Sequence, residues 1–129
     1  MISAASWLGL VLDACPDFSP LWQRYQDRWA DEGSPGICTE MSAFANFVKE
    51  RIVDAESSEV ARIFDLIEHL LVFGDEDVQT AATTCCLENI LNVTPSKIPP
   101  ERFVQFLGPK SREFCRAWDE FTGITTPGL

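Results

Sequence analysis

Asp65 and His69 stand four residues apart, so on a helix they share one face. A carboxylate beside an imidazole could relay a proton or begin a metal site. His69 is the sole histidine, however, and no second ligand motif accompanies it. Carboxylate di-iron bundles use two Glu-x-x-His units, and the chain has none. Cys85 and Cys86 invite a redox reading, but neighbours on a helix point about 100° apart and seldom close an unstrained disulfide. The five cysteines (Cys15, Cys38, Cys85, Cys86, Cys115) are odd in number and contain no C-x-x-C. A disulfide framework and a structural zinc site are both unexpected on that pattern. Free, mostly buried thiols in a reducing cytosol are the expectation. No G-x-S-x-G, phosphate-binding loop, dinucleotide fingerprint or H-E-x-x-H occurs. Catalysis is disfavoured, and no cofactor or metal is expected.

Charge is the distinctive property. Twenty Asp and Glu face ten Lys and Arg across 129 residues, a net −10. Such a field repels nucleic acid and anionic lipid and speeds encounter with a basic protein. The surplus is concentrated. Between Asp54 and Glu88 lie Asp54, Glu56, Glu59, Asp65, Glu68, Asp75, Glu76, Asp77 and Glu88, against the single base Arg62. The stretch from Lys97 to Glu120 is nearly balanced by contrast. Before its first apolar stretch the N-terminus has no basic residue, and that stretch is too short to span a bilayer. Signal peptide and membrane anchor are disfavoured, and a cytoplasmic location is expected.

The elements that must carry these residues are helical. Trp7, Leu8, Val11, Leu12 and Cys15 recur at helical spacing until Pro16. Ser19-Pro20 opens a second helix with Leu21, Trp22, Tyr25 and Trp29, mostly a core pattern, closed by Gly33. A third is predicted after Thr39, an N-cap candidate, with Met41, Phe44, Ala45, Val48 and Ile52 in one stripe. The fourth opens at Ser57 or Ser58. It turns Val60, Ile63, Phe64, Ile67, Leu70 and Leu71 inward and Arg62, Asp65 and His69 outward, and Gly74 ends it. The next helix has Asp75, Glu76 and Asp77 in its first turn, at the positive end of the dipole. It then carries only Glu88 as a charge up to Asn92, which marks it as buried and central. A turn-rich connector leads to a short helix around Phe103, Phe106 and Leu107. A last helix follows Gly108-Pro109 with Phe114, Ala117, Trp118 and Phe121 on one face. Trp7 and Trp118 read as core, and residues 124–129 as a frayed tail. No run alternates as a strand does. The expectation is one all-α domain, 1–129, a compact bundle of about six or seven helices.

The stretch Gly74-Asp-Glu-Asp-Val-Gln-Thr-Ala-Ala82 with Leu87-Glu-Asn-Ile-Leu91 resembles the second half of a HEAT-type repeat, implying antiparallel pairing with the preceding helix. A wider set comprises Leu-Ile-Glu-His-Leu-Leu (66–71), Gly-Asp-Glu-Asp-Val (74–78), Leu-Glu-Asn-Ile-Leu (87–91), Phe-Leu-Gly-Pro (106–109) and Trp-Asp-Glu-Phe-Thr-Gly (118–123). It is similar to small bacterial helical proteins of the immunity type, found beside polymorphic or contact-dependent growth-inhibition toxins. That resemblance implies an inhibitor that binds a toxin C-terminal domain, and it supplies no catalytic residues.

Together these features suggest that Asp54, Glu56, Glu59, Asp65, Glu68, His69, Asp75, Glu76 and Asp77 form a docking surface for a basic protein such as a nuclease toxin. The competing readings are a solvated surface with helix-capping carboxylates, and a HEAT-like adaptor without inhibitory role. Oligomeric state is left open.

Overall fold

Proline and glycine set the helix boundaries. The computed structural model describes residues 1–129. Helix α1 (Trp7–Ala14) stops short of Pro16, and a 3-10 turn at Pro16–Phe18 leads into α2 (Ser19–Arg28). Helix α3 (Ile37–Asp54) begins before Thr39. Gly36 is its N-cap, at φ +128, a backbone angle that strains residues bearing a Cβ. The expected Thr39 cap is therefore displaced by a glycine-specific entry turn. Helix α4 (Ser57–Phe73) ends at Gly74, where a Cβ would collide with the Leu70 carbonyl and the Val78 side chain.

Helix α5 (Glu76–Thr80) continues without a break through a π-helical segment, Ala81–Leu87, into α6 (Glu88–Leu91). Where one short helix was expected around Phe103 there are two 3-10 turns, Pro100–Arg102 and Val104–Phe106. Pro99 and Pro100 lack the amide donors that an α-helical turn through them would use. Helix α7 (Pro109–Thr122) ends at Gly123 in the left-handed conformation. No sheet forms; Ile2 makes one isolated bridge to Gly74. The chain is an all-α bundle, and no helix is long and apolar enough to cross a membrane.

Thirty buried residues form one core cluster. Its axis is the rod of α5, the π segment and α6, which buries Val78, Ala81, Ala82, Cys85, Cys86, Leu87, Ile90 and Leu91. Helix α3 makes the most extensive contact with the π segment, with α4 and α7 at its sides. The small side chains Ala81, Ala82 and Cys85 permit that close approach. Each large apolar side chain buried there contributes about 1.5–3 kcal/mol. Trp7, Phe18, Phe44 and Phe47 interlock at the α1–α3 contact, with centroid separations of 5.4 to 6.5 Å. Phe64 stacks on Phe103 at 5.4 Å and holds the 3-10 turns against α4. Arg102 donates to Ile52 O at 2.8 Å and Ala55 O at 2.5 Å, so the last carbonyls of α3 are satisfied from fifty residues away.

Two expectations need correction. Cys38 and Cys85 form a disulfide, with Cα atoms 5.5 Å apart, so two of the five thiols are not free. Geometry argued only against the 85–86 pair. The pairing that occurs joins the first turn of α3 to the rod that α3 packs against. Cys15, Cys86 and Cys115 are free, and burial pushes the Cys86 and Cys115 thiols up to about 12.

The tail is also not frayed. Thr126 donates its amide to Asp119 Oδ2 at 2.6 Å and its hydroxyl to Oδ1 at 2.8 Å, and Gly128 O accepts from Arg112 at 3.1 Å. Asp119 sits in the last turns of α7 and hooks the chain back.

The disulfide spans 47 residues. Closing a loop of that size restricts the unfolded chain by about 4 kcal/mol. Dithiothreitol is expected to lower the urea unfolding midpoint of the native chain while leaving a C38S/C85S variant unaffected. Equal midpoints with and without reductant would refute the pairing.

Candidate functional site

The nine residues of the expected docking surface separate by what their side chains touch. Glu59 is half-buried and forms the only ion pair in the chain, with Arg51 at 2.6 Å. Asp75 is the N-cap of α5, accepting the Val78 amide at 3.0 Å. Glu68 is directed inward. Its Oε1 accepts the Ser111 amide at 2.9 Å and the Ser111 hydroxyl at 2.8 Å, and its Oε2 accepts the Lys110 amide at 2.9 Å. It therefore caps the N-terminus of α7, where free amides and the helix dipole favour a carboxylate. Gly108 makes this possible: a Cβ there would stand 2.5 Å from Glu68 Cδ.

The remaining residues stay exposed. Asp54 ends α3, Glu56 precedes α4, Asp65 and His69 lie on the outer face of α4, and Glu76 and Asp77 open α5. Asp65, Glu76 and Asp77 have no side-chain partner. His69 packs its ring on Phe73 at 4.7 Å, so Asp65 does not hold it as a proton relay would require. No group of three or more His, Cys, Asp and Glu comes together in a way that could hold a metal ion.

Electrostatics follow from how the bases are used. Arg102 and Arg112 donate to backbone carbonyls, Lys49 donates to Asn89 at 2.8 Å, and the Arg28 guanidinium lies over Trp29. Only Arg51 is paired with a carboxylate, and with twenty acids against ten bases the outward field is negative.

Two features were not anticipated. Helix α7 buries Ser111 and Cys115, which turns part of its aromatic face outward. Phe121 is 81% exposed and stacks on half-buried Trp118 at 5.6 Å. Val72, Thr80, Thr83, Phe114 and Ala117 line an open groove of about 600 Å³ between α4, the rod and α7. Lys110 and Glu113 also line it. The second feature is the role of Glu68. The sequence did carry a signal for it, since a helix opening at Gly-Pro has no capping side chain of its own and needs an acceptor from elsewhere.

A family described as a domain of unknown function (DUF7674) matches residues 8–123, nearly the whole chain. The chain belongs to the DUF7674 family. No curated protein matches it, and no solved structure does. The match to DUF7674 covers every helix but the first residue of α1, including the α4–α5 acids and the Glu68 cap.

Glu68→Gln in this DUF7674 chain is expected to lower stability by about 2 kcal/mol, since a charge-assisted bond set is weakened at a helix end. Gly108→Ala should be destabilising through the same contact. Asp65→Asn and Glu76→Gln should stay within about 0.5 kcal/mol of the parent. Urea denaturation of the four variants measures the difference, and similar losses at all four positions would contradict the division.

Proposed function

We propose that this chain is a binding protein of the immunity type: it engages a basic protein surface, with a toxin C-terminal domain as partner, and blocks that domain by contact. One observation carries the reading. Of 20 carboxylates a single one is ion-paired, and Asp54, Glu56, Asp65, Glu76 and Asp77 face solvent along α4 and its two ends. Unpaired surface charge of one sign raises the rate of encounter with a partner of the other sign and selects against like-charged ones. A nuclease is a fitting target, because its substrate groove must be basic to hold phosphates. His69 and Phe73, stacked within this acidic surround, add apolar area of the kind that anchors interfaces.

Glu59, Glu68 and Asp75 support the surface from beneath and are not contact residues in this reading. The reading also keeps the protein in the cytoplasm with its target. There Cys38 and Cys85 would be held as thiols, and the disulfide would mark exposure to an oxidising compartment.

The test is co-expression with a basic toxin C-terminal domain taken from the neighbourhood of a gene encoding this chain. Protection of the cells is expected from the native chain. A D65K/E76K/D77K variant should associate at least about tenfold more slowly at low ionic strength, with a flatter salt dependence. Native protein that neither binds nor protects would defeat the proposal. Unchanged on-rates in the variant would remove this face from it.

A further inference from the structure

Helix α2 is the one helix of more than one turn in the bundle that buries no residue completely, yet it carries Trp22 and Tyr25, with Trp29 at its C-cap. These rings continue a row that starts in the core. Buried Phe18 lies 6.1 Å from Trp22, Trp22 stacks on Tyr25 at 4.9 Å, and Tyr25 lies 6.4 Å from Trp29. Trp22 still packs against the core, and beyond it the row runs out onto a half-exposed surface.

The outer rings are held in place. Ser34 donates to Glu40 at 2.7 Å, so the Tyr25 hydroxyl donates to Ser34 at 2.8 Å, and the Gly36 amide also donates to that Ser34 oxygen. A ring fixed in advance loses little freedom when a partner covers it. Around the row the charge leans negative. From Trp22 to Glu40 there are four acids, Asp27, Asp31, Glu32 and Glu40, and two bases, Arg24 and Arg28. Asp31 and Glu32 are exposed, and neither makes a side-chain bond. Arg28 itself is informative: its guanidinium stands 5.6 Å from the Trp29 centroid, inside the range of a cation–π contact.

We infer that Tyr25 and Trp29, with Asp31 and Glu32 beside them, form a seat for arginine side chains of a basic protein partner. The inference rests on the reading that this chain binds a basic protein, and it locates one contact surface at α2, apart from the α4–α5 acids. Charge complementarity selects a cation, and the flat aromatic faces select a guanidinium over an ammonium, because arginine stacks on rings as well as pairing with carboxylates. Trp and Tyr are also the residues that most often carry interface binding energy.

Octa-arginine and octa-lysine peptides, equal in charge, separate stacking from field. Titration into the full chain near physiological salt is followed by calorimetry and tryptophan fluorescence. The arginine peptide is expected to bind about fivefold tighter or more, as a cation–π contribution implies. Trp29→Leu should abolish that ratio while leaving lysine-peptide affinity and helical circular dichroism unchanged. Arg28→Ala, which clears a competing guanidinium from the ring, should raise the ratio. Equal affinities for the two peptides, or a preference that survives in Trp29→Leu, would overturn the inference. Equal affinities that both fall in D65K/E76K/D77K would overturn it while leaving the basic-partner reading intact. Failure of both peptides to bind would count against both readings.

Discussion

The constraint on which the molecule depends is the burial of one apolar rod, Val78 to Leu91, with α3 as its main wall and α4 and α7 alongside. A helix sealed on several sides leaves its neighbours no freedom in where they stop. Helix α3 ends against the 3-10 turns and α7 begins against α4, so each has an end from which water is partly excluded. Both ends are satisfied from far along the chain, by Arg102 at the carbonyls of α3 and Glu68 at the amides of α7. These two ties have opposite charge because the two helix ends do. Packing and polar satisfaction are thus one arrangement, and loosening either loosens the other.

This coupling explains why much of the fold was legible in the sequence and part of the candidate site was not. The inward stripe of α4, from Val60 to Leu71, and the central position of the rod follow from periodicity and from the near absence of charge between Val78 and Asn92. Such signals are local. The failures were nonlocal or depended on a single backbone angle. Nothing near Cys38 announces Cys85 as its partner, because the contact exists only once α3 lies on the rod. Gly36 stands at the N-cap in place of Thr39 because the chain enters α3 through a positive φ that favours glycine, and no side chain caps that end. The face of α7 was misjudged because Ser111 and Cys115, a hydroxyl tied to Glu68 and a small thiol, fill the core side, and Phe121 is left outside. The tail looked frayed since a carboxylate hook such as Asp119 with Thr126 has no periodic signature.

For the acidic surface the same distinction decides which carboxylates are free. Runs of Asp and Glu in sequence mix two populations. Asp75 and Glu68 answer to helix amides, and Glu59 answers to Arg51. Asp65, Glu76 and Asp77 answer to no group in the chain. Net charge of −10 therefore describes the far field, whereas contact chemistry belongs to the smaller second population. The bases show the complementary habit, with Arg102 and Arg112 turned to carbonyls and Arg28 laid on an indole.

The π-helical turn at Ala81–Leu87 has a consequence for rotational phase. In an unbroken α-helix, advancing by about 100° per residue, Val78 would share its azimuth with Asn89. A wide turn absorbs roughly one residue of rotation, and Val78 instead lines up with Ile90, which is buried, while Asn89 is left half-exposed to receive Lys49. A homologous chain one residue shorter across this stretch could present the same apolar seam from an ordinary α-helix. Single-residue length differences between Asp75 and Glu88 are therefore to be understood as exchanges of helix type at constant core, with the residues on either side of the gap still equivalent.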